Sequence, residues 1–224
     1  MQRKYYEAYD DRYRQIHSQN LQWFYDDPTP IVSEVIRDFG IDKSGKLLEL
    51  GCGEGRDAIA LLRQGYDLLA TDISPAAIQF AREKWPEFAK NFAVLDCVAG
   101  EMDKKFEFIY AVAVVHMLVE DTDRDAFYTF IRTHLVPNGV ALICTMGDGQ
   151  IQRKTDIHTA FDLQERTHEQ TGKPVQIAST SCRVVDFETF RAEIMRNGLQ
   201  IIREGITAAP PDFPQMMFAI VKGE

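Results

Sequence analysis

Three glycines within five residues mark the place where this chain could hold a ligand. The run Glu49-Leu50-Gly51-Cys52-Gly53-Glu54-Gly55 sets glycine at alternate positions, where a backbone free of side chains can turn tightly and let a ligand lie against it. Asp72 follows 72 − 51 = 21 positions after the first of them. A carboxylate so placed can accept both hydroxyls of a ribose, as in dinucleotide-binding folds. Either feature alone is only a tight connection between a strand and a helix. Together they predict a nucleoside-containing cofactor.

Local charge bears on which cofactor. Dinucleotide turns favour GxGxxG, with the pyrophosphate on the helix N-terminus that follows. Here the spacing is GxGxG, with Glu49 before it and Glu54 between the second and third glycines. Two carboxylates would repel a pyrophosphate, whereas they suit a ligand that carries an ammonium and a sulfonium. Arg56, just after the turn, is a candidate partner for a cofactor carboxylate, with Asp57 or Glu54 competing for it.

Other residues could act on an acceptor. His116 follows a long apolar run and would titrate in the right range for a general base; otherwise it caps or hydrogen-bonds a loop. Tyr6, Tyr9 and Tyr13 recur at helical spacing near the N-terminus, and His17 and Trp23 follow. The tyrosine stripe could dock on the domain by plain aromatic packing. Met146 closes the fifth strand, and His158 lies in a polar stretch beyond it. His158 and His168 have acids nearby but no ligand-pair spacing, so no metal is expected. Cys52, Cys97, Cys144 and Cys182 form no CxxC pair and read as buried thiols.

The elements that position these residues alternate strand and helix, as in βαβ units. Lys46–Leu50, Tyr66–Thr71, Asn91–Leu95, Phe106–Val115 and Val140–Thr145 read as strands. Ser74-Pro75 starts a helix, with serine at the cap and proline at the first turn; further helices are expected at Asp121–Leu135 and around Phe187–Ile194. Leu199–Thr207 and Gln215–Lys222 complete seven strands. The stretch Gly147–Thr180 is polar and weakly periodic, and reads as a charged, solvated insertion over the carboxyl edge of the sheet.

At this point the chain resembles the class I S-adenosylmethionine-dependent methyltransferases. LLELGCGEGRDAIALLRQGYDLLATDIS is similar to that family's first two motifs, VLDCV to its third-strand acid, FEFIYAVAVVHML to its fourth-strand motif and LVPNGVALI to the turn into its fifth strand. The likeness is strong over about residues 46–146 and one of element order over 183–222. It implies a doubly wound, mostly parallel seven-stranded α/β sheet of Rossmann-like type, with residues 1–40 as a helical cover and 41–224 as the cofactor-binding domain. It implies S-adenosylmethionine as cofactor, S-adenosylhomocysteine as product, and methyl transfer to a small molecule. By the same resemblance Glu49, Gly51 and Gly53, with Cys52 between them, border the methionine part. Asp72 and Ile73 hold ribose and adenine, Asp96 and Cys97 the far edge of adenine, and Ala111 and Val112 line the cofactor. The same resemblance makes Tyr13, His17 and Trp23 of the N-terminal cover candidates for a lid. Val112 and Met117 stand where the family often has a polar residue or a second histidine, a departure that leaves the catalytic content of this motif open, with His116 as the candidate catalytic residue. A nicotinamide-dependent oxidoreductase and a non-methylating regulatory binder, its acceptor pocket closed by Val112 and Met117, are the alternatives.

Composition sets the outer limits. The 224 residues carry 25 Lys+Arg against 34 Asp+Glu, a net charge of −9, and are 45% hydrophobic. That balance suits a packed core and argues against a nucleic-acid partner, which needs a basic surface. No apolar run approaches the roughly 20 residues that span a bilayer, and the N-terminus lacks the apolar stretch of a signal peptide. The expectation is a soluble cytoplasmic protein, monomer or homodimer, without membrane contact.

Overall fold

The computed structural model describes residues 3–209 and 211–223. Its centre is a seven-stranded sheet built from β1 (Lys46–Leu50), β2 (Asp67–Asp72), β3 (Phe92–Val94), β4 (Phe106–Val112), β5 (Leu135–Met146), β10 (Leu199–Ala209) and β11 (Phe213–Gly223), in the order β10-β11-β5-β4-β1-β2-β3. The first five are mutually parallel, and β11 runs antiparallel to both of its neighbours. The near-continuous apolar runs of β1 and β4 follow from this, because a parallel sheet is covered on both faces. Leu47, Tyr110 and Leu142 point to one side, where α2 (Pro30–Asp38), α3 (Arg56–Arg63) and α4 (Pro75–Lys84) bring Val35, Ile59 and Ile78. Leu48, Ile109 and Ile143 point to the other, against Phe127 and Ile131 of α5 (Asp121–His134) and Phe190 and Ile194 of α6 (Phe187–Arg196). Strand order reverses between β1 and β4, so the crevice beyond their carboxyl ends is the place where such sheets bind ligands.

The carboxyl edge is roofed by two further pieces. A 3₁₀ turn at Tyr5–Glu7 leads into α1 (Ala8–His17), and residues 18–29 then cross the edge without helix before α2 begins. The stretch after β5 is more ordered than its polarity suggests. β7 (Leu163–Thr167) and β8 (Pro174–Ala178) form an antiparallel hairpin, and β6 (Arg153–Lys154) pairs with β9 (Arg183–Val184). Val175 and Ile177 alternate with polar neighbours and bury against Ile16 of α1, while β7 stays exposed. The insertion therefore reaches Val184 rather than Thr180.

Two strand ends also differ from the sequence pattern. β4 stops at Val112, not Val115, because Ala113 takes a φ of 59° and Val115–Met117 coil into a 3₁₀ turn. That turn is held by Arg124, whose Nη1 donates to the carbonyls of Val115 (2.7 Å) and Leu118 (3.1 Å). β5 begins five residues early: Leu135 pairs with Phe106 and Val140 with Phe108, and Pro137-Asn138-Gly139 is accommodated as an irregularity inside the strand. No helix among the described residues is long and apolar enough to cross a membrane.

Candidate functional site

The glycine run leaves β1 and forms the floor of a narrow cavity. Gly51, Gly53 and Gly55 all take positive φ (72°, 52° and 89°), and Gly55 caps the N-terminus of α3 in the left-handed region. A Cβ on Gly51 would lie 2.3 Å from Val114 Cγ2, and one on Gly53 2.6 Å from Tyr13 Oη. Both conformation and space thus require glycine at these two positions.

Asp72, at the end of β2, faces the same turn. One carboxylate oxygen accepts the Gly53 N–H (2.8 Å) and the other the Ser74 N–H (2.8 Å). A carboxylate has about four acceptor directions, so each oxygen keeps one for a ligand. Burial lifts its pKa to about 6 against the pull of those two N–H bonds, and nearby Asp10 adds to the rise. Asp10 belongs to α1 and bonds Ser74 Oγ (2.7 Å) and the Ala76 N–H (3.0 Å) at the start of α4. Asp96 accepts from Val98 N (2.8 Å) and Ala99 N (3.2 Å) through one oxygen and from Tyr6 Oη (3.3 Å) through the other. Glu49 is buried with Tyr110 Oη at 3.0 Å, and burial together with Asp57 pushes its pKa well up.

Ten of the eleven predicted cofactor residues line this cavity: Glu49, Gly51, Cys52, Gly53, Arg56, Asp72, Ile73, Asp96, Cys97 and Val112. Ala111 does not. It alternates away from Val112 and packs in the opposite core with α5 and α6. Arg56 takes the competing partners, with Nη2 on Asp57 (3.2 Å) and Thr29 (3.0 Å) and Nη1 on Asp212 (3.2 Å); its buried Nε has no partner. Glu54 does not pair with it. Its carboxylate accepts the backbone N–H groups of Trp23 (2.8 Å) and Phe24 (2.9 Å) and bonds His17 Nε2 (2.8 Å). Glu54 also lines the cavity, so this glycine-turn acid borders the ligand space and fastens the N-terminal segment as well.

That segment divides the edge into two spaces. The first encloses about 80 Å³, below the roughly 300–1,000 Å³ usual for ligand pockets. The second holds about 700 Å³ beside it. Tyr9, Tyr13, Phe24, Met117 and Phe213 form the wall common to both. Trp23 and Met146 line the second space only, and so does His116. His17 lines neither, being stacked on Phe80 with ring centroids 4.1 Å apart. His158 lies exposed on a 3₁₀ turn away from both, where Asp156 caps its N–H (2.9 Å). His116 is buried, its Nδ1 has no partner, and burial with the charges of Arg124 and Arg12 drives its pKa down to about 3. The ring is therefore neutral at physiological pH. A group so far below the working pH is a weak general base.

Sequence reasoning passed over Arg12 and Phe213. Arg12 sits on the helical face with Tyr9 and Tyr13, a signal present in the spacing; Phe213 opens β11 after a turn and carried no signal.

Comparison with known proteins bears on this geometry. Residues 48–141 match the family model described as a methyltransferase domain. "Hemagglutinin 1" of Eikenella corrodens is 33% identical over 108 residues, which cover 46% of this chain and 35% of that protein. A malonyl-[acyl-carrier protein] O-methyltransferase of Acetivibrio thermocellus is 31% identical over 99 residues, covering 38% of this chain and 35% of its own length. The chain thus spans about a third of the length of these relatives. A crystal structure of the glycopeptide N-methyltransferase MtfA complexed with S-adenosyl-L-methionine superposes with a TM-score of 0.65 over 90% of this chain and 96% of that one, at 22% identity. The last is a likeness of fold.

Proposed function

We propose, for a chain whose residues 48–141 match the model of a methyltransferase domain, that it is of the class I S-adenosylmethionine-dependent type and moves the methyl group of S-adenosylmethionine to a small molecule held in the second cavity. The observation that carries this reading is the turn at Gly51–Gly55 facing Asp72, whose two oxygens each keep an acceptor direction for a vicinal diol. The chemistry of the lining suits the cofactor, and the roughly 80 Å³ enclosed there must widen to admit it. In the proposal Asp72 holds the ribose hydroxyls, Ile73, Cys97 and Val98 enclose the base, and Asp96 borders its far edge. Glu49 and the turn surround the methionine end, with the unpartnered Arg56 Nε as the donor for its carboxylate. When bound, the cofactor supplies an electrophilic methyl on a sulfonium, whose leaving group is neutral.

The protein's own task is then positional. Tyr9, Tyr13, Phe24, Met117 and Phe213 line both spaces, so acceptor and methyl donor meet along these side chains. Residues 5–25, anchored through Glu54, Asp10 and Asp96, exclude water from the cofactor side. His116 presents a neutral ring to the acceptor space and acts there as a hydrogen-bonding group at Nδ1 rather than as a proton acceptor. The non-methylating alternative would need the acceptor pocket closed by Val112 and Met117. The roughly 700 Å³ beside Met117 speaks against it.

The test is binding followed by turnover. S-adenosylhomocysteine should raise the melting temperature, NAD should not, and Asp72→Ala should remove the shift. No shift at millimolar S-adenosylhomocysteine would overturn the cofactor assignment. Release of S-adenosylhomocysteine with a panel of small thiols, amines, carboxylates and hydroxylated aromatics would identify the acceptor.

A further inference from the structure

The second cavity carries a charge that the first does not. Arg12 is 7% exposed, yet no carboxylate pairs with it among the described residues. Its Nε donates to the Ala178 carbonyl (3.3 Å), and its Nη2 to the carbonyls of Ala178 (3.1 Å) and Ser179 (2.8 Å) and to Thr180 Oγ1. All of these partners are neutral. Its Nη1 donates to no described protein group. The rings of Tyr9 and Trp23 each lie 5.1 Å from its guanidinium carbon, so the cation is oriented by π faces as well. A buried guanidinium without a counter-ion is costly unless something of opposite charge completes the site.

The mouth of the same cavity adds to this field. Arg153, Lys154 and Arg166 line it, are exposed, and form no ion pair among the described residues. With its amide turned to satisfy both groups, Gln164 accepts from Arg166 Nε (3.0 Å), another neutral contact. The acids on the lining do not cancel these charges. Asp212 is tied to Arg56, and Glu169 is exposed and pairs with none of the four. A protein of net charge −9 thus gathers four cations around one opening. None of the four lines the first cavity. The unpartnered, buried His116 Nδ1 is a second polar group on the same lining that lacks a protein partner.

From this juxtaposition we infer that the methyl acceptor is an anion, a small molecule whose carboxylate or phosphate is held by Arg12 beneath the cationic mouth, with its apolar body against Tyr13, Met117 and Phe213. The inference rests on the second cavity being the acceptor site. Because Arg12 lines only the second cavity and Arg153, Lys154 and Arg166 stand at its mouth, the anionic group is the handle by which the acceptor is gripped. Arginine suits the task, since its planar fork gives a carboxylate or phosphate two parallel bonds.

The experiment titrates the protein, with and without saturating S-adenosylhomocysteine, in two arms. One arm compares benzoate and 3-phenylpropanoate with their amides, and the other phenyl phosphate with phenol. Calorimetry should give at least about tenfold tighter binding of the anion in one arm or both, with the stronger arm naming the acceptor's group. Arg12→Gln should abolish that preference and leave the affinity for S-adenosylhomocysteine unchanged. Should Arg12→Gln fail to fold, the double substitution Arg153→Gln/Arg166→Gln, on exposed side chains, should lower the preference several-fold. Equal binding of anion and neutral isostere in both arms, or a preference that survives the substitutions, overturns the inference. An anion preference in a protein that does not bind S-adenosylhomocysteine would keep the anion site at Arg12 and overturn the cofactor reading on which its role in gripping a methyl acceptor rests.

Discussion

In the proposed role Asp72 must be an anion in a place that resists anions. Burial lifts its pKa to about 6, and the hydroxyls proposed to bind there donate to the charged form. Ligand binding must therefore expel the proton below that pH. The affinity for S-adenosylhomocysteine should be flat above about pH 7 and weaken by up to about tenfold per pH unit well below pH 6; calorimetry in Asp72→Asn should show weak binding at every pH. His116 works in the opposite sense. Its folded pKa of about 3 lies below the ordinary histidine value, so the unfolded chain binds more protons between about pH 3 and 6.5, and stability falls as pH drops through that window. His116→Gln should lose less stability than the parent between pH 7 and 5, measured by urea unfolding. It should also leave the pH–rate profile without the loss of a limb near 6.5, because a neutral ring contributes none.

Elements, not single residues, set the shape of the edge. Arg124 of α5 and Glu193 of α6 form a fully buried pair (2.6 Å), and the same arginine holds the turn that carries His116 and Met117. Arg124→Ala should cost about 3–5 kcal/mol by leaving Glu193 buried and unpaired, and Arg124→Met/Glu193→Leu should recover much of it, both read from denaturant midpoints. Glu54→Ala removes three bonds to residues 17–24 and should raise amide exchange at Trp23 and Phe24 while β1 and β4 stay protected. The central elements were legible because their signals are local. The glycine run, the Ser74-Pro75 start and the apolar runs of β1 and β4 each depend on neighbouring residues alone. The hairpin of β7 and β8 was not legible, because its order comes from Val175 and Ile177 burying against α1, some 160 positions away. The place of Ala111 and the docking partners of Glu54 were not legible for a related reason. Strand register decides which of Ala111 and Val112 faces the cavity, and Glu54 found its partners on a segment that sequence could not dock.

For the whole molecule the prediction is linkage. S-adenosylhomocysteine at about a hundred times its dissociation constant should add about 2.7 kcal/mol of stability, a rise of about 5–10 °C in Tm for a chain of this size. The acidity of the chain has also become more specific. Its net charge of −9 spares one opening, where four cations gather, and no average over composition could reveal that. The segment over the cavities carries one further consequence. Trp23 and Trp85 are the two tryptophans of the chain; Trp23 stands on the wall of the second cavity against Arg12, while Trp85 lies near Arg63 and Lys84 and lines neither cavity. With Trp85→Phe, the remaining indole becomes an intrinsic optical probe of that wall. Its emission should respond to occupancy and to movement of residues 18–29, so that stopped-flow fluorescence would time cofactor entry and acceptor entry separately, without any label.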